Sequence, residues 1–153
     1  MLMKLKDAFY KVGTRIHRAV FNVSKGRIFG KASEMPFIEL VTIGRRSGKA
    51  RATMLSVPIV DGDRLVLVAS FGGDDRHPAW YLNLQANPEV RTTMAGSTRT
   101  MIARTATEEE RVELWPQIIS TFEGYARYQK RTDRQIPVVI LEPPSSNASA
   151  GRS

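Results

Sequence analysis

The sequence contains no cysteine, and this excludes several kinds of site at once. A 153-residue chain without cysteine can hold no disulfide framework, no thiol nucleophile and no thiolate-bound metal. It also has no apolar run near the roughly 18 residues that span a bilayer, and Lys and Arg interrupt the first thirty residues too often for a signal peptide. We therefore expect one cytoplasmic domain, long enough to bury a core.

Histidine is almost as scarce as cysteine. The two histidines, His17 and His77, have no partner at the spacing typical of a metal site or a catalytic dyad. Both are interpreted as surface residues, and no metal site is expected.

The net charge of +8 is concentrated in an N-terminal arm, residues 1–31. This arm contains eight Lys and Arg but a single acidic residue, Asp7, whereas the rest of the chain carries 15 cations and 14 anions. A nucleic-acid-binding domain more often spreads its cations over a folded face, so no nucleic-acid partner is expected.

Apolar residues recur in the arm at spacings of three and four from Leu2 to Val23, which predicts a basic amphipathic helix. Such a helix can lie on the anionic inner face of the cell membrane, making the protein peripheral there. Alternatively, its apolar face can pack against its own domain. The pattern leaves both alternatives open.

From Phe37 onward the residue pattern becomes that of β-strands. Predicted strands cover residues 37–43, 52–60, 64–69, 90–94, 98–106 and 136–142. Pro58 indicates an edge strand or bulge, and Asp61-Gly62 predicts a two-residue turn. Strands grouped early and late, with helices between them, are typical of an α+β domain whose antiparallel sheet curls into a barrel.

Helix boundaries are signalled by proline and by a capping motif. Pro78 suits the first position of a short helix, and Thr107 with Glu110 fits a capping box that begins a helical region ending near Arg127. Pro116 is expected to kink or divide that region. The chain therefore divides into the arm at 1–31, a folded domain at 32–143 and a disordered tail at 144–153.

The loop after the first predicted strand carries the strongest chemical signal. It places four cations within seven residues, interspersed with a serine and two glycines: Gly44, Arg45, Arg46, Ser47, Gly48, Lys49 and Arg51. Guanidinium groups, a hydroxyl and open backbone N–H groups all suit phosphate. The spacing is not that of a P-loop, since three residues separate the glycines. A phosphate site and a solvated hairpin turn are both compatible with this pattern.

A second strand end, at residues 69–73, opens into a loop that leads to the helix beginning near Pro78. Two strand ends opening into polar loops are a plausible frame for an anionic, ring-containing cofactor. Trp80 and Tyr81 fit either such a site or a structural role. Tyr125 and Tyr128 lie three apart on one predicted helical face and fit either the core or a pocket.

From residue 40 to residue 143 the chain resembles the deazaflavin (coenzyme F420)-dependent nitroreductase and quinone reductase family, a branch of the split β-barrel flavin-binding superfamily. Order and spacing are shared over about a hundred residues. The matching pieces are Thr42-Ile43-Gly44-Arg45-Arg46-Ser47-Gly48, Arg51, Val68-Ala69-Ser70 with Gly72-Gly73, Pro78-Ala79-Trp80-Tyr81-Leu82-Asn83-Leu84, Ala86-Asn87-Pro88, Ala103-Arg104, Trp115-Pro116 and Thr132-Asp133-Arg134-Gln135-Ile136-Pro137.

The resemblance implies a split barrel of six to seven mainly antiparallel strands with packed helices, and coenzyme F420 as cofactor. The implied cofactor-binding residues are Arg45, Arg46 and Ser47 at the phosphate, Arg51, Ala52, Thr53, Met54, Leu55 and Ser56 along the cofactor, Val68, Ala69, Ser70 and Phe71 beside the deazaflavin, Ala79, Trp80, Tyr81, Leu82 and Asn83 near the phosphate and ribityl chain, and Tyr125 over the ring. Ser70, Tyr125 and Tyr128 are implied to orient the electron acceptor.

The implied reaction is hydride transfer from the reduced deazaflavin to a quinone-like or nitro-aromatic acceptor. A non-catalytic deazaflavin carrier or storage protein, and an FMN or haem binder of the same superfamily, are the alternatives. The chain departs from the family's pattern at Thr53-Met54, where Asn-Pro is common, at Phe71, where a polar or basic residue is common, and at Phe122, where some members have Tyr. The sequence predicts neither the natural acceptor nor the oligomeric state.

Overall fold

Seven antiparallel strands form a single sheet in the computed structural model, which describes residues 35–145. The strands are β1 (Phe37–Ile43), β2 (Ala50–Ser56), β3 (Ile59–Asp61), β4 (Arg64–Val68), β5 (Glu89–Met94), β6 (Ser97–Thr105) and β7 (Val138–Glu142). They are ordered β2-β1-β5-β6-β7-β4-β3. The predicted amphipathic arm and residues 146–153 of the predicted tail lie outside the described residues.

The connection between β2 and β3 shows that the sheet must curl. These are its two outer strands, yet only Val57 and Pro58 link Ser56 to Ile59. A flat seven-stranded sheet would separate its outer strands by about 29 Å, whereas this link spans at most about 11 Å. The sheet therefore closes most of the way around, which confirms the predicted split barrel.

Pro58 explains why the predicted strand at 52–60 is two strands. The break falls at residues 57–58, and the flanking strands are both edge strands, where the missing N–H of proline costs least. The other predicted strands are confirmed to within two residues at each end. The turn predicted at Asp61-Gly62 is shifted by one residue. Because Asp61 pairs with Arg64, the turn consists of Gly62 and Asp63.

Within residues 35–145, three α-helices pack on this sheet: α1 (Ala79–Ala86), α2 (Glu108–Thr121) and α3 (Gly124–Lys130). The capping box of Thr107 and Glu110 is confirmed. Pro78 is the N-cap of α1 rather than its first residue. The predicted division at Pro116 is wrong, because α2 runs through this proline and ends five residues later, at Thr121.

Two apolar clusters hold the fold together, in keeping with the alternation of side chains along each strand. The first joins α1 to residues such as Leu40, Leu67 and Met101. The second joins α2 and α3 to Val66 and Ile140, among others. Because α1 is fixed by the first cluster, its N-terminal end is held beside the ends of β1 and β4.

Candidate active site

A cavity of about 700 Å³ opens where β1 and β4 end and α1 begins. Its wall combines the loop between β1 and β2, residues 51–55 of β2 apart from Met54, the end of β4 and the first turns of α1. The lining residues are Thr42, Gly44, Arg45, Arg46, Ser47, Arg51, Ala52, Thr53, Leu55, Val68, Ser70, Phe71, Gly72, Pro78, Ala79, Trp80 and Asn83. The fold thus brings both strand ends identified in the sequence into one cavity.

Thirteen of the nineteen residues predicted to bind cofactor line this cavity: Arg45, Arg46, Ser47, Arg51, Ala52, Thr53, Leu55, Val68, Ser70, Phe71, Ala79, Trp80 and Asn83. The sequence-based set omitted four lining residues, Thr42, Gly44, Gly72 and Pro78. All four lie within the motifs quoted above. Gly44, Gly72 and Pro78 are adjacent to a predicted residue, and Thr42 lies three residues before Arg45.

The six remaining predicted residues do not line the cavity: Met54, Ser56, Ala69, Tyr81, Leu82 and Tyr125. Successive side chains of a strand point to opposite faces, so Met54 and Ser56 face away from the side of β2 that carries Thr53 and Leu55. Tyr81 is buried, and its hydroxyl lies 2.8 Å from Thr105 Oγ1. The geometry gives Tyr81 a packing role.

Ser70 is the only one of the three predicted acceptor-orienting residues to line the cavity. Tyr125 and Tyr128 instead pack edge to face with Phe122, with ring centroids 5.3 Å apart for Phe122 and Tyr125. Burial, followed by the charge of Tyr128, raises the pKa of Tyr125 to about 12. Its hydroxyl therefore stays protonated at neutral pH.

Asn83 anchors the cationic loop to α1. Its Oδ1 accepts hydrogen bonds from the Arg45 backbone N (3.1 Å) and from Arg45 Nη1 (3.3 Å), and its Nδ2 donates to Thr42 Oγ1 at 3.1 Å. Asn83 is 4% exposed and Thr42 is fully buried. One side-chain amide therefore fixes both the end of β1 and the first arginine of the loop.

The loop also holds its own shape. Gly44 N donates to Lys49 O and Gly48 N donates to Gly44 O, both at 2.8 Å. A Cβ on Gly44 would lie 2.5 Å from Ser47 Oγ, and Gly48 has a φ of +69°, so both positions favour glycine. The hairpin is therefore shaped before any ligand arrives.

The cations of this loop are not neutralised by the part of the chain described here. Within residues 35–145, no carboxylate forms a salt bridge with Arg45, Arg46, Lys49 or Arg51, although other arginines do form such pairs. Several fixed cations at the mouth of one cleft create a field that attracts an anion. The donor set therefore fits a phosphate-bearing or carboxylate-bearing ligand, and the apolar part of the wall fits a ring.

His77 is not the surface residue expected from the sequence. It is half-buried, its ring lies 5.0 Å from that of Tyr81, and its Nδ1 lies 3.2 Å from Arg134 Nη1. Burial, followed by the charge of Arg134, lowers the pKa of His77. The neutral ring can then accept a hydrogen bond from the guanidinium. His17 lies outside the described residues.

No group of three or more His, Asp or Glu side chains in the described part of the chain is placed to hold a metal ion. No helix within residues 35–145 has the length and apolar character needed to cross a bilayer.

A split barrel with a cationic loop on one side of a cleft and an apolar wall on the other defines a binding domain for an anionic, ring-containing cofactor. A protein-family model described as F420H(2)-dependent quinone reductase matches residues 13–143. The chain therefore belongs to this family of oxidoreductases, whose name specifies reduced coenzyme F420 as cofactor. The resemblance inferred from the sequence motifs is confirmed.

Individual relatives agree with the family match. A protein of Mycobacterium tuberculosis named as an F420H(2)-dependent quinone reductase is 36% identical over 132 residues, which are 83% of this chain and 87% of that protein. The solved structure of an F420-H2 dependent reductase, FDR-A, is 39% identical, with a TM-score of 0.63 over 70% of this chain and 94% of that chain. A solved domain-swapped dimer is 31% identical, with a TM-score of 0.63 over 86% and 99% of the two chains.

Proposed function

We propose that this chain transfers a hydride from reduced coenzyme F420 to a quinone-like acceptor, and that nitro-aromatic compounds are a second acceptor class. The observation that carries the proposal is the cavity in which a cationic loop, without a salt bridge to any carboxylate of residues 35–145, faces an apolar wall, in a chain of this family. When bound, the reduced deazaflavin supplies the hydride. The protein's own contribution is to bind, orient and shield.

In this proposal the cationic loop binds the anionic part of the cofactor. Arg45 and Arg46 offer planar donor forks that match phosphate or carboxylate oxygens, and Ser47 adds a hydroxyl. Because Asn83 already fixes the Arg45 backbone, less conformational freedom is lost on binding.

In this proposal the apolar wall binds the deazaflavin ring. Leu55, Val68 and Trp80 line the cavity on different elements and exclude water from the ring they contact. Ser70 lies in the same wall and is proposed to donate its hydroxyl hydrogen to an acceptor oxygen, where negative charge develops during the reduction. Tyr125 and Tyr128 remain proposed acceptor-side residues, and they would have to reach the acceptor from outside the cavity described here.

Cofactor binding is tested by fluorescence titration of the purified full-length chain with F420. Arg45→Ala and Arg46→Ala should each weaken binding by about tenfold, the loss of roughly 1.4 kcal/mol expected for one charge-assisted contact. Arg127→Ala is the matched control, because Arg127 is exposed on α3 and does not line the cavity. Equal affinities for all four proteins would contradict the placement of the anion.

Catalysis is tested by mixing reduced F420 with menadione and with a nitro-aromatic compound. Acceptor-dependent reoxidation by the wild-type chain and by the Arg127→Ala control supports the reductase. Binding without reoxidation of either acceptor would instead identify a carrier, and a chain that purifies with bound FMN or haem would overturn the choice of cofactor.

We also propose that the basic arm at residues 1–31 attaches the enzyme to anionic lipid. Eight cations and one anion in this segment supply on the order of 1 kcal/mol per cation near such a surface. Deleting residues 1–30 should abolish sedimentation with anionic vesicles and leave F420 affinity unchanged. Undiminished sedimentation of the deletion variant would refute the attachment.

A further inference from the structure

The cavity wall at residues 70–73 has a backbone that needs external support. Phe71, Gly72 and Gly73 have consecutive φ angles of +46°, +64° and +86°, all in the left-handed region that favours glycine. A non-glycine residue there costs on the order of 1–3 kcal/mol and persists only when its surroundings hold it. The residue Phe71 is also 51% exposed, so its burial supplies little of the support.

Arg134 supplies that support from a distant part of the chain. Its Nε donates to Asp74 O at 2.8 Å, its Nη2 donates to Ser70 O at 2.9 Å, and Nη1 and Nη2 donate to Ala69 O at 3.4 and 3.3 Å. Nη1 also faces His77 Nδ1 at 3.2 Å. A guanidinium has five donors in a rigid planar fork, and here its terminal groups and Nε are directed at a single loop.

Neighbours of Arg134 bind the same loop at other points. Arg131 Nη1 donates to Gly72 O at 3.1 Å, and the buried Thr132 donates its hydroxyl to Asp75 Oδ1 at 2.8 Å. A Cβ on Gly73 would lie 2.7 Å from Tyr128 O, so α3 is in direct contact with the turn. The segment at 131–134 therefore holds the loop at both of its ends and in the middle.

Pairing between strands cannot hold this wall. The pairing of β4 with β7 ends at Val68, which lies opposite Val138. One further hydrogen bond runs from Ala69 N to Pro137 O. Beyond Ala69 the loop closes on itself through Gly73 N to Ser70 O and Asp74 N to Phe71 O. These local hydrogen bonds set the conformation of the turn. The contacts from residues 131–134 fix its position relative to the cavity.

We infer that Arg134 is a positioning residue that fixes the cavity wall carrying Ser70 and Phe71, and thereby sets how the acceptor is presented. This inference rests on the proposed function for its kinetic consequence, but its structural part can be measured without any ligand. Arg134 does not line the cavity, so it acts through the loop.

The variant that tests this is Arg134→Lys in the full-length chain, because lysine keeps the charge but offers a compact ammonium in place of the planar fork. Arg111→Lys is the matched control. Arg111 is also a half-buried arginine bonded to a backbone carbonyl, that of Ile136, and to Gln129 Oε1, and its guanidinium lies over the Trp115 ring at 4.5 Å. It makes no contact with the cavity.

Hydrogen exchange of the backbone amides at residues 70–76 is the first readout. Exchange there should quicken about tenfold or more in Arg134→Lys and stay at the wild-type rate in Arg111→Lys. Unchanged exchange in Arg134→Lys, or equal acceleration in both variants, would overturn the inference. Wild-type protein that fails to bind F420 or to reduce any acceptor would refute the proposed function, while the exchange comparison would still decide whether Arg134 holds the wall.

Steady-state kinetics with reduced F420 and menadione is the second readout. In Arg134→Lys we expect kcat to fall about tenfold, F420 affinity to stay within about threefold because Arg45 and Arg46 are untouched, and Arg111→Lys to keep wild-type kcat. A loosened loop with wild-type kcat would show that Arg134 serves folding alone, and it would overturn the positioning role.

Discussion

Two replacements of Asn83 distinguish the effect of its hydrogen bonds on stability from the effect of the loop's positive charge on F420 binding. In Asn83→Ala the Thr42 hydroxyl and the Arg45 backbone amide both lose their partner. Each lost hydrogen bond costs about 1 kcal/mol, and each polar group left unpaired in a buried position adds to that cost. We expect a total of about 3 kcal/mol, which corresponds to a fall in Tm of about 10 °C for a domain of this size.

Asn83→Asp should behave differently, although it has almost the same shape. The carboxylate can still accept from Arg45, and the Thr42 hydroxyl can reverse its role and donate. Most of the stability should therefore survive. The new negative charge, however, would neutralise Arg45, so F420 affinity should fall by about tenfold or more, to a greater extent than in Asn83→Ala.

The assay pairs differential scanning calorimetry with F420 fluorescence titration on three variants. Asn87→Ala is the control, because Asn87 is exposed and its Oδ1 accepts only a local bond from Glu89 N at 3.4 Å. The reasoning is refuted if Asn83→Ala melts at the same temperature as Asn87→Ala. It is equally refuted if Asn83→Asp binds F420 as tightly as the wild type.

Two further predictions concern stability. Gly73→Ala should cost at least about 1 kcal/mol more than Gly96→Ala in urea titrations, because both have positive φ but only the first would bring a Cβ against the Tyr128 carbonyl; equal costs would contradict the close contact. Hydrogen bonds from Arg104 hold the pKa of the Glu110 carboxyl at about 2, below its ordinary value of 4.5, so stability should fall as pH drops from about 4.5 to about 2. Glu110→Gln keeps the capping box, so its stability should depend less on pH over this range. An equal loss of stability in acid for the variant and the wild type would contradict the prediction.

The elements with strong local signals were predictable. Strand β1 was placed at its observed bounds because an apolar run ends at a glycine-rich loop, and the Thr107 capping box fixed the start of α2. The order of strands was not predictable from any local pattern, since β1 lies between β2 and β5. The grouping of strands predicted a curled antiparallel sheet, and resemblance to the family specified a split barrel. The short link at Val57 and Pro58 supplies the physical reason for the curl.

Pro116 shows why a local rule fails in a packed helix. Its missing N–H deprives the carbonyl of residue 112 of a partner, but Val112 is 67% exposed, so water can reach that turn. Leu114 and Ile118 are buried on either side of the proline, and they hold both halves of α2 against the sheet. The break occurs instead before Gly124, where a Cβ would collide with the Phe122 ring.

In the candidate site too, features formed by neighbouring residues were predictable, whereas contacts between distant residues were not. The cationic loop was visible because its residues are adjacent in sequence. The contact of Arg134 with Ser70 joins residues 64 positions apart, and the same guanidinium contacts the half-buried His77. Tyr125 and Tyr128 were correctly placed on one helix, yet sequence spacing cannot tell which side of a curled sheet that helix covers.

The distribution of carboxylates explains how the site can be rigid and still attract an anion. Elsewhere in the described chain, several arginines pair with acids, as Arg104 pairs with Glu110 and Glu142. At the cavity mouth the anchoring groups are neutral, namely the amide of Asn83 and the hydroxyl of Thr42. A neutral anchor fixes the backbone without consuming the positive charge of Arg45, whereas a carboxylate would compete with the ligand. An anionic ligand relieves the self-repulsion of the loop cations, so F420 should raise the Tm of the wild type, by the equivalent of about 2.7 kcal/mol at a hundredfold excess over Kd.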